Sequence, residues 1–127
     1  MNATPANNQR KYSRVPLAMQ VDLHLPGQRL RVELLDIALK GALVRTFTGL
    51  NVDLHAPCRL VLVLAEGEET IEMRGQVAHL EPEQLGMACD AMELQSLTNL
   101  RRLLALNTGD AELMDRELAQ LFARPNA

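Results

Sequence analysis

Two short stretches hold the side chains best suited to chemistry. Arg10-Lys11-Tyr12-Ser13-Arg14 sets two guanidinium groups four residues apart, with a lysine and an aromatic ring between them. Asp36-Ile37-Ala38-Leu39-Lys40-Gly41 places a carboxylate, a small residue and a glycine where an alternating apolar pattern breaks and resumes. A guanidinium holds a phosphate, or the O6/N7 edge of a guanine, through two parallel hydrogen bonds. A carboxylate complements it by accepting from the N–H groups of a guanine. Glycine lets backbone approach a ligand where a Cβ would collide. Taken together, these residue types describe a site for a small anionic ligand that bears guanine. Either stretch alone has a plainer reading: a solvated basic segment for the first, ordinary turn chemistry for the second.

The elements needed to position these groups are legible along the chain. Residues 1–9 are polar, lack apolar periodicity and read as a tail. Leu17, Met19, Val21, Leu23 and Leu25 alternate with Ala18, Gln20, Asp22 and His24, the period of two of a half-buried strand. Pro26-Gly27-Gln28 is a turn, and Leu30, Val32 and Leu34 then alternate with Arg29, Arg31 and Glu33, which completes a hairpin. The alternation stumbles at Leu35-Asp36-Ile37 and restarts at Ala42-Leu43-Val44, so the Asp36 to Gly41 segment is expected between the second and third strands. Thr46 to Pro57 reads as loop, and Arg59 to Leu64 as a central strand. Glu66 to Glu69 reads as a turn into a strand from Thr70 to Leu80, with Gly75 marking a bulge or close packing. Glu81 to Gln84 turns into a last strand from Leu85 to Met92.

From Glu93 the period changes. Leu94, Leu97, Leu100 and Leu104 follow helical spacing, with Gln95, Asn99, Arg101 and Arg102 expected outward. Asn107-Thr108-Gly109 ends that helix and Asp110 starts a second, whose stripe is Met114, Leu118, Leu121 and Phe122. Glu112 and Arg116 stand four apart as a helix-surface pair. The expected fold is α+β and mainly β: six antiparallel strands forming a small barrel, then two helices packed upon it. The expected divisions are a tail over 1–9, a barrel with its arginine arm over 10–92 and a helical segment over 93–123.

Composition narrows the function. The 127 residues suit one domain. The net charge of -3 argues against a general nucleic-acid binder. With no tryptophan, one tyrosine and two phenylalanines, the chain lacks the stacking platforms of oligonucleotide-binding barrels. No apolar run is long enough to span a bilayer, and Met1 to Gln9 does not resemble a signal peptide. Cys58 and Cys89 read as small core side chains, which places the protein in the cytoplasm. His24, His55 and His79 have no partners at metal-ligand spacing. No nucleophile–base arrangement, phosphate loop or acidic pair stands out, so neither a metal, a cofactor nor an enzyme is expected.

The order of the motifs carries a resemblance. An Arg-x-x-x-Arg just before the first strand is followed about twenty residues later by Asp-x-Ala-x-x-Gly. This resembles the PilZ domain, a six-stranded barrel that receives the bacterial second messenger cyclic di-GMP. The signature of that family is Arg-x-x-x-Arg, then Asp or Asn-x-Ser-x-x-Gly. Gly75-Gln76-Val77 and Leu85-Gly86-Met87 resemble its last two strands. Leu100-Arg101-Arg102-Leu103 to Leu121 resembles the helical tail of single-domain pseudomonad-type members.

The resemblance implies that Arg10 and Arg14 clamp phosphate and guanine edges, with Lys11 adding charge. It implies that Asp36 accepts from a guanine, that Gly41 admits backbone, and that His79 stands where relatives stack an aromatic ring. His79 also shares strand parity with Val77 and Met73, which reads equally as a packing histidine. Ala38 departs from the family serine. One lost hydrogen bond costs about 0.5–1.5 kcal/mol, or up to about 3 if it met a charged phosphate, a weakening of roughly threefold to a hundredfold. The implied function is a receptor that binds cyclic di-GMP and regulates a protein effector as a monomer, without nucleic-acid binding or membrane insertion. The alternative is a PilZ-like interaction module that has lost nucleotide binding.

Overall fold

The computed structural model describes residues 12–64 and 69–122. Six strands run β1 (Val15–Leu25), β2 (Gln28–Ala38), β3 (Gly41–Arg45), β4 (Pro57–Leu64), β5 (Glu69–Glu81) and β6 (Gln84–Ala91). Two helices follow, α1 (Leu94–Thr108) and α2 (Ala111–Phe122). All strand pairs are antiparallel and close into a barrel in the order β1-β2-β3-β6-β5-β4. This is the α+β barrel with two C-terminal helices that the alternation and the later helical spacing imply.

A barrel this narrow leaves room only for side chains. Leu23, Leu34, Leu60, Leu62, Ile71, Met73 and Leu85 fill it without exposure, so aliphatic side chains and a thioether supply the packing that aromatic rings provide elsewhere. Cys58 and Cys89 are free thiols buried in this core.

β5 is longer than either neighbour's contact with it. Its pairing with β4 runs from Glu69 to Gln76, and with β6 only from Arg74 to Glu81. The first half of β5 therefore has one edge that β6 does not cover. α1 covers it: Ser96 Oγ accepts from the Glu72 N–H at 3.0 Å, and Asn99 Nδ2 donates to the Thr70 carbonyl at 2.9 Å. A helix laid on a strand edge satisfies backbone groups that would otherwise be open to another chain. Asn99 is consequently 2% exposed, a correction to its expected outward position.

The helix ends follow their local chemistry. Gly109 adopts φ 73°, and its N–H returns to the Ala105 carbonyl at 2.8 Å, which stops α1. Asp110 Oδ1 accepts from the Leu113 N–H at 2.9 Å and starts α2. Leu97, Leu100, Leu104 and Met114 join the core. Leu94 and Phe122 are 75% and 70% exposed, so two members of the expected stripes lie off the packed face. Among the described residues no ion pair joins Glu112 to Arg116; the pair that forms is Arg101 to Asp115 at 2.7 Å, between the helices. Tertiary packing brings those two nearer than i,i+4 spacing does.

Strand limits differ by a few residues from the sequence reading. β4 begins at Pro57, β5 spans Glu69–Glu81, and β6 spans Gln84–Ala91. The larger correction is that Asp36 and Ala38 belong to β2 itself, and only Leu39 and Lys40 form the turn. A register shift between Leu34 and Asp36 in the β2–β3 ladder explains the stumble in the alternation. One extra residue there reverses the parity, so Ile37 enters the core while Asp36 faces out.

Candidate functional site

At one end of the barrel a cleft of about 610 Å³ opens between the chain entering β1, the β2–β3 turn and the β5–β6 hairpin. The entering chain contributes Tyr12 and Arg14, and the turn region contributes Asp36, Ala38, Lys40 and Gly41. β5 and β6 contribute His79, Gln84 and Gly86. Five residues singled out from the sequence thus meet in one place: Arg14, Asp36, Ala38, Gly41 and His79. Arg10 and Lys11 lie outside the described residues.

Arg14 and Asp36 are 22 positions apart, yet joined directly. Arg14 Nε donates to Asp36 Oδ1 at 3.2 Å, and a terminal guanidinium nitrogen approaches the same oxygen at 3.1 Å. Both side chains keep partial contact with solvent. The pair therefore uses one edge of the guanidinium and one carboxylate oxygen. Among the described residues nothing else bonds the remaining N–H groups of Arg14 or Oδ2 of Asp36, which suits them to a ligand.

The bulge in β2 is what aims Asp36 outward at this rim. A second shift, between Val77 and His79 in the β5–β6 ladder, acts in the same way on His79. Val77 is fully buried, but the next residues turn out and the His79 side chain is 54% exposed. Strand parity with Val77 and Met73 is broken at that point, so the packing reading of His79 does not hold. Its Nε2 lies 3.0 Å from Glu81 Oε2. Gly86 faces it directly, and a Cβ there would come within 3.2 Å of the His79 Cβ.

Gly41 has a structural requirement besides any ligand. It is the first residue of β3, paired with Ala88, and a Cβ built on it would overlap the Met87 carbonyl oxygen. The glycine is needed for close approach of β6. Ala38 is buried and lines the cleft, so the family hydroxyl is replaced by an apolar spot in its wall.

Three contributors were not singled out for the site. Lys40 sits at the tip of the turn, and its carbonyl accepts from the Cys89 N–H at 2.8 Å, which ties the turn to β6. Its place inside the Asp-to-Gly motif was the available signal. Tyr12, the aromatic ring between the two arginines, packs against the core and also lines the cleft. Glu117 is the least foreseeable. This α2 residue is 6% exposed, and its carboxylate accepts from the Ser13 N–H through both oxygens at 3.0 Å and from the Ser13 hydroxyl at 2.6 Å. The residue between Tyr12 and Arg14 is thus held by the last helix, across 104 positions. Among the described residues no group of three or more His, Cys, Asp or Glu is placed to hold a metal.

The class that fold and site define is a closed six-stranded antiparallel barrel, entered past an arginine that pairs with an aspartate at the second strand's end. The PilZ domain model matches residues 8–106, and the chain belongs to the PilZ domain family. Among solved structures it is similar to the inhibitor of motility from Bacillus subtilis (MotI/DgrA), with TM-score 0.63 and 20% identity over 75% of this chain and 51% of that one. This chain therefore spans about half the length of that protein. It is also similar to the PilZ domain of CeSA from a cellulose-synthesizing bacterium, with TM-score 0.59 and 16% identity over 76% of this chain and 96% of that one. At these identities the likeness is one of fold.

Proposed function

We propose that the protein is a non-catalytic receptor for cyclic di-GMP that regulates a protein partner. The observation that carries this reading is the direct pairing of Arg14 with Asp36 at the rim of a cleft that also receives Lys40, Tyr12 and His79. In this reading Arg14 and Lys40 meet phosphate, with Arg10 and Lys11 adding charge from the arm. Oδ2 of Asp36 accepts from guanine N–H groups, and the His79 ring, raised clear of the core by its bulge, stacks on a guanine face. Ordering an arm costs roughly 1–2 kcal/mol per fixed backbone residue, so a ligand with two negative charges and two bases suits the task. A setting in motility, chemotaxis or biofilm signalling, in the reducing interior of a bacterium, belongs to the same proposal. Buried free thiols at Cys58 and Cys89 fit such a compartment. Among the described residues no helix is long and apolar enough to cross a membrane.

The test is isothermal titration of the full chain with cyclic di-GMP, with GTP as control. Saturable binding of the cyclic ligand alone is expected. Arg14→Ala should cost more than about 1.5 kcal/mol, the value of a charge-assisted bond, or roughly tenfold in affinity. An unchanged affinity in that variant would refute the site. One observation favours a second reading, an interaction module that has lost the ligand: Ala38 presents no hydroxyl to the cleft. Absence of heat near a millimolar ligand concentration would establish that reading instead.

A further inference from the structure

Away from the cleft, the register of the barrel assembles a feature that no local sequence pattern announces. On the outer face Arg29 of β2 stands opposite His24 of β1, His24 opposite Arg59 of β4, and Arg59 opposite Arg74 of β5. The row points away from the core, because the flanking Leu23, Leu60 and Met73 are fully buried. Adjacent strands lie about 4.8 Å apart, so the row extends roughly 14 Å across four strands. No carboxylate stands in it. Asp22 and Glu72, two residues along their strands, reach Arg31 at 3.5 Å and Arg59 at 3.1 Å. Among the described residues Arg29 and Arg74 form no salt bridge and are exposed. His24 Nδ1 lies 3.3 Å from an Arg59 guanidinium nitrogen. Burial, then Arg59 and Arg29, hold its pKa below the ordinary value, as expected for an imidazole amid like charge.

Like charges directly opposite one another destabilise a sheet. Here Arg59 and Arg74 stand in that relation and Arg29 lies on the far side of His24, all on one stripe of a chain whose net charge is -3. We propose that this row is a docking face for the acidic side of an α-helix in a partner protein. Carboxylates at i, i+4 and i+8 of a helix recur every ~6 Å along its axis, which is nearer the inter-strand spacing of about 4.8 Å than an extended chain comes. One face of an extended peptide repeats at roughly 6.7 Å and falls out of step over the length of the row. A polynucleotide is disfavoured by the overall negative charge. Arg29 lies seven residues from Asp36 on β2, roughly 23 Å along the strand, so the row and the cleft can be occupied together.

The experiment uses the full chain, isotopically labelled, titrated with an alanine-based helical peptide carrying glutamate at every fourth position. Amide resonances of His24, Arg29, Arg59 and Arg74 should shift, and the shifts should vanish near 1 M salt, where the screening length is about 3 Å. The double variant Arg29→Glu, Arg74→Glu should bind the peptide about tenfold more weakly. Its melting temperature should stay level or rise, since each substitution sets a carboxylate opposite a basic side chain and relieves the repulsion. Equal binding of the double variant, an equal response to the lysine version of the peptide, or shifts elsewhere on the barrel would overturn the proposal. Tighter binding of duplex DNA or of anionic lipid vesicles at the row would overturn it in favour of a polyanion.

Discussion

Replacing Glu117 by alanine removes the carboxylate that holds the entering chain. Two donors depend on it, the Ser13 N–H at 3.0 Å from both oxygens and the Ser13 hydroxyl at 2.6 Å. A hydrogen bond to a charged acceptor contributes about 1.5–3 kcal/mol. Ser13 is only half-buried and regains water in the variant, which sets both bonds near the lower value. Relief of the nearly buried carboxylate's desolvation offsets a further part. The expected net loss is about 2–3 kcal/mol, or roughly 10 °C in melting temperature for a chain of this size. Glu117→Gln keeps one accepting oxygen and should lose about half as much. Urea unfolding of Ser13→Ala, Glu117→Ala and the double variant gives the coupling directly, expected at about 1–2 kcal/mol. A loss below about 0.5 kcal/mol in Glu117→Ala would place the variant among ordinary surface substitutions. The contact across the two ends of the chain would then be refuted as a stabilising one.

Gly75→Ala should destabilise by about 1–3 kcal/mol, as overpacking does, because its Cβ would overlap the Ala88 carbonyl oxygen between β5 and β6; an unchanged unfolding midpoint would contradict that close approach. Cys58 is held protonated by burial, then by Asp90 and Cys89, with its pKa pushed up to about 11 from an ordinary 9.0. The unfolded thiol therefore ionises first, so this group's contribution to stability is intact below pH 9 and is lost as pH rises from 9 to 11. Cys58→Ser should flatten that part of the stability profile, and a thiol reagent at pH 8 should label the native protein only slowly. Rapid labelling of both cysteines without denaturant would refute their burial.

The alternation of Leu17 to Leu25 and of Leu30 to Leu34 determined a hairpin and its inward face, because side-chain direction in a strand has a period of two and is a local property. Gly109 and Asp110 determined where one helix stops and the next begins, again through bonds within a few residues. The identities of Arg14, Asp36 and Gly41 as members of one cleft were also readable, but only through the order and spacing of two motifs, and His79 only through the family resemblance those motifs carry. Tertiary structure decided the rest. Two register shifts set the aim of Asp36 and His79, and a bulge depends on how the partner strand is placed rather than on the bulged sequence. Asn99 and Ser96 turned inward because β5 left backbone groups uncovered beside them. Glu117, an acidic residue on a helix, carried no local sign that Ser13 would stand against it. The row of Arg29, His24, Arg59 and Arg74 exists only through strand pairing. Periodicity reports which way a side chain points, whereas its partners depend on chain segments brought together by closure of the barrel.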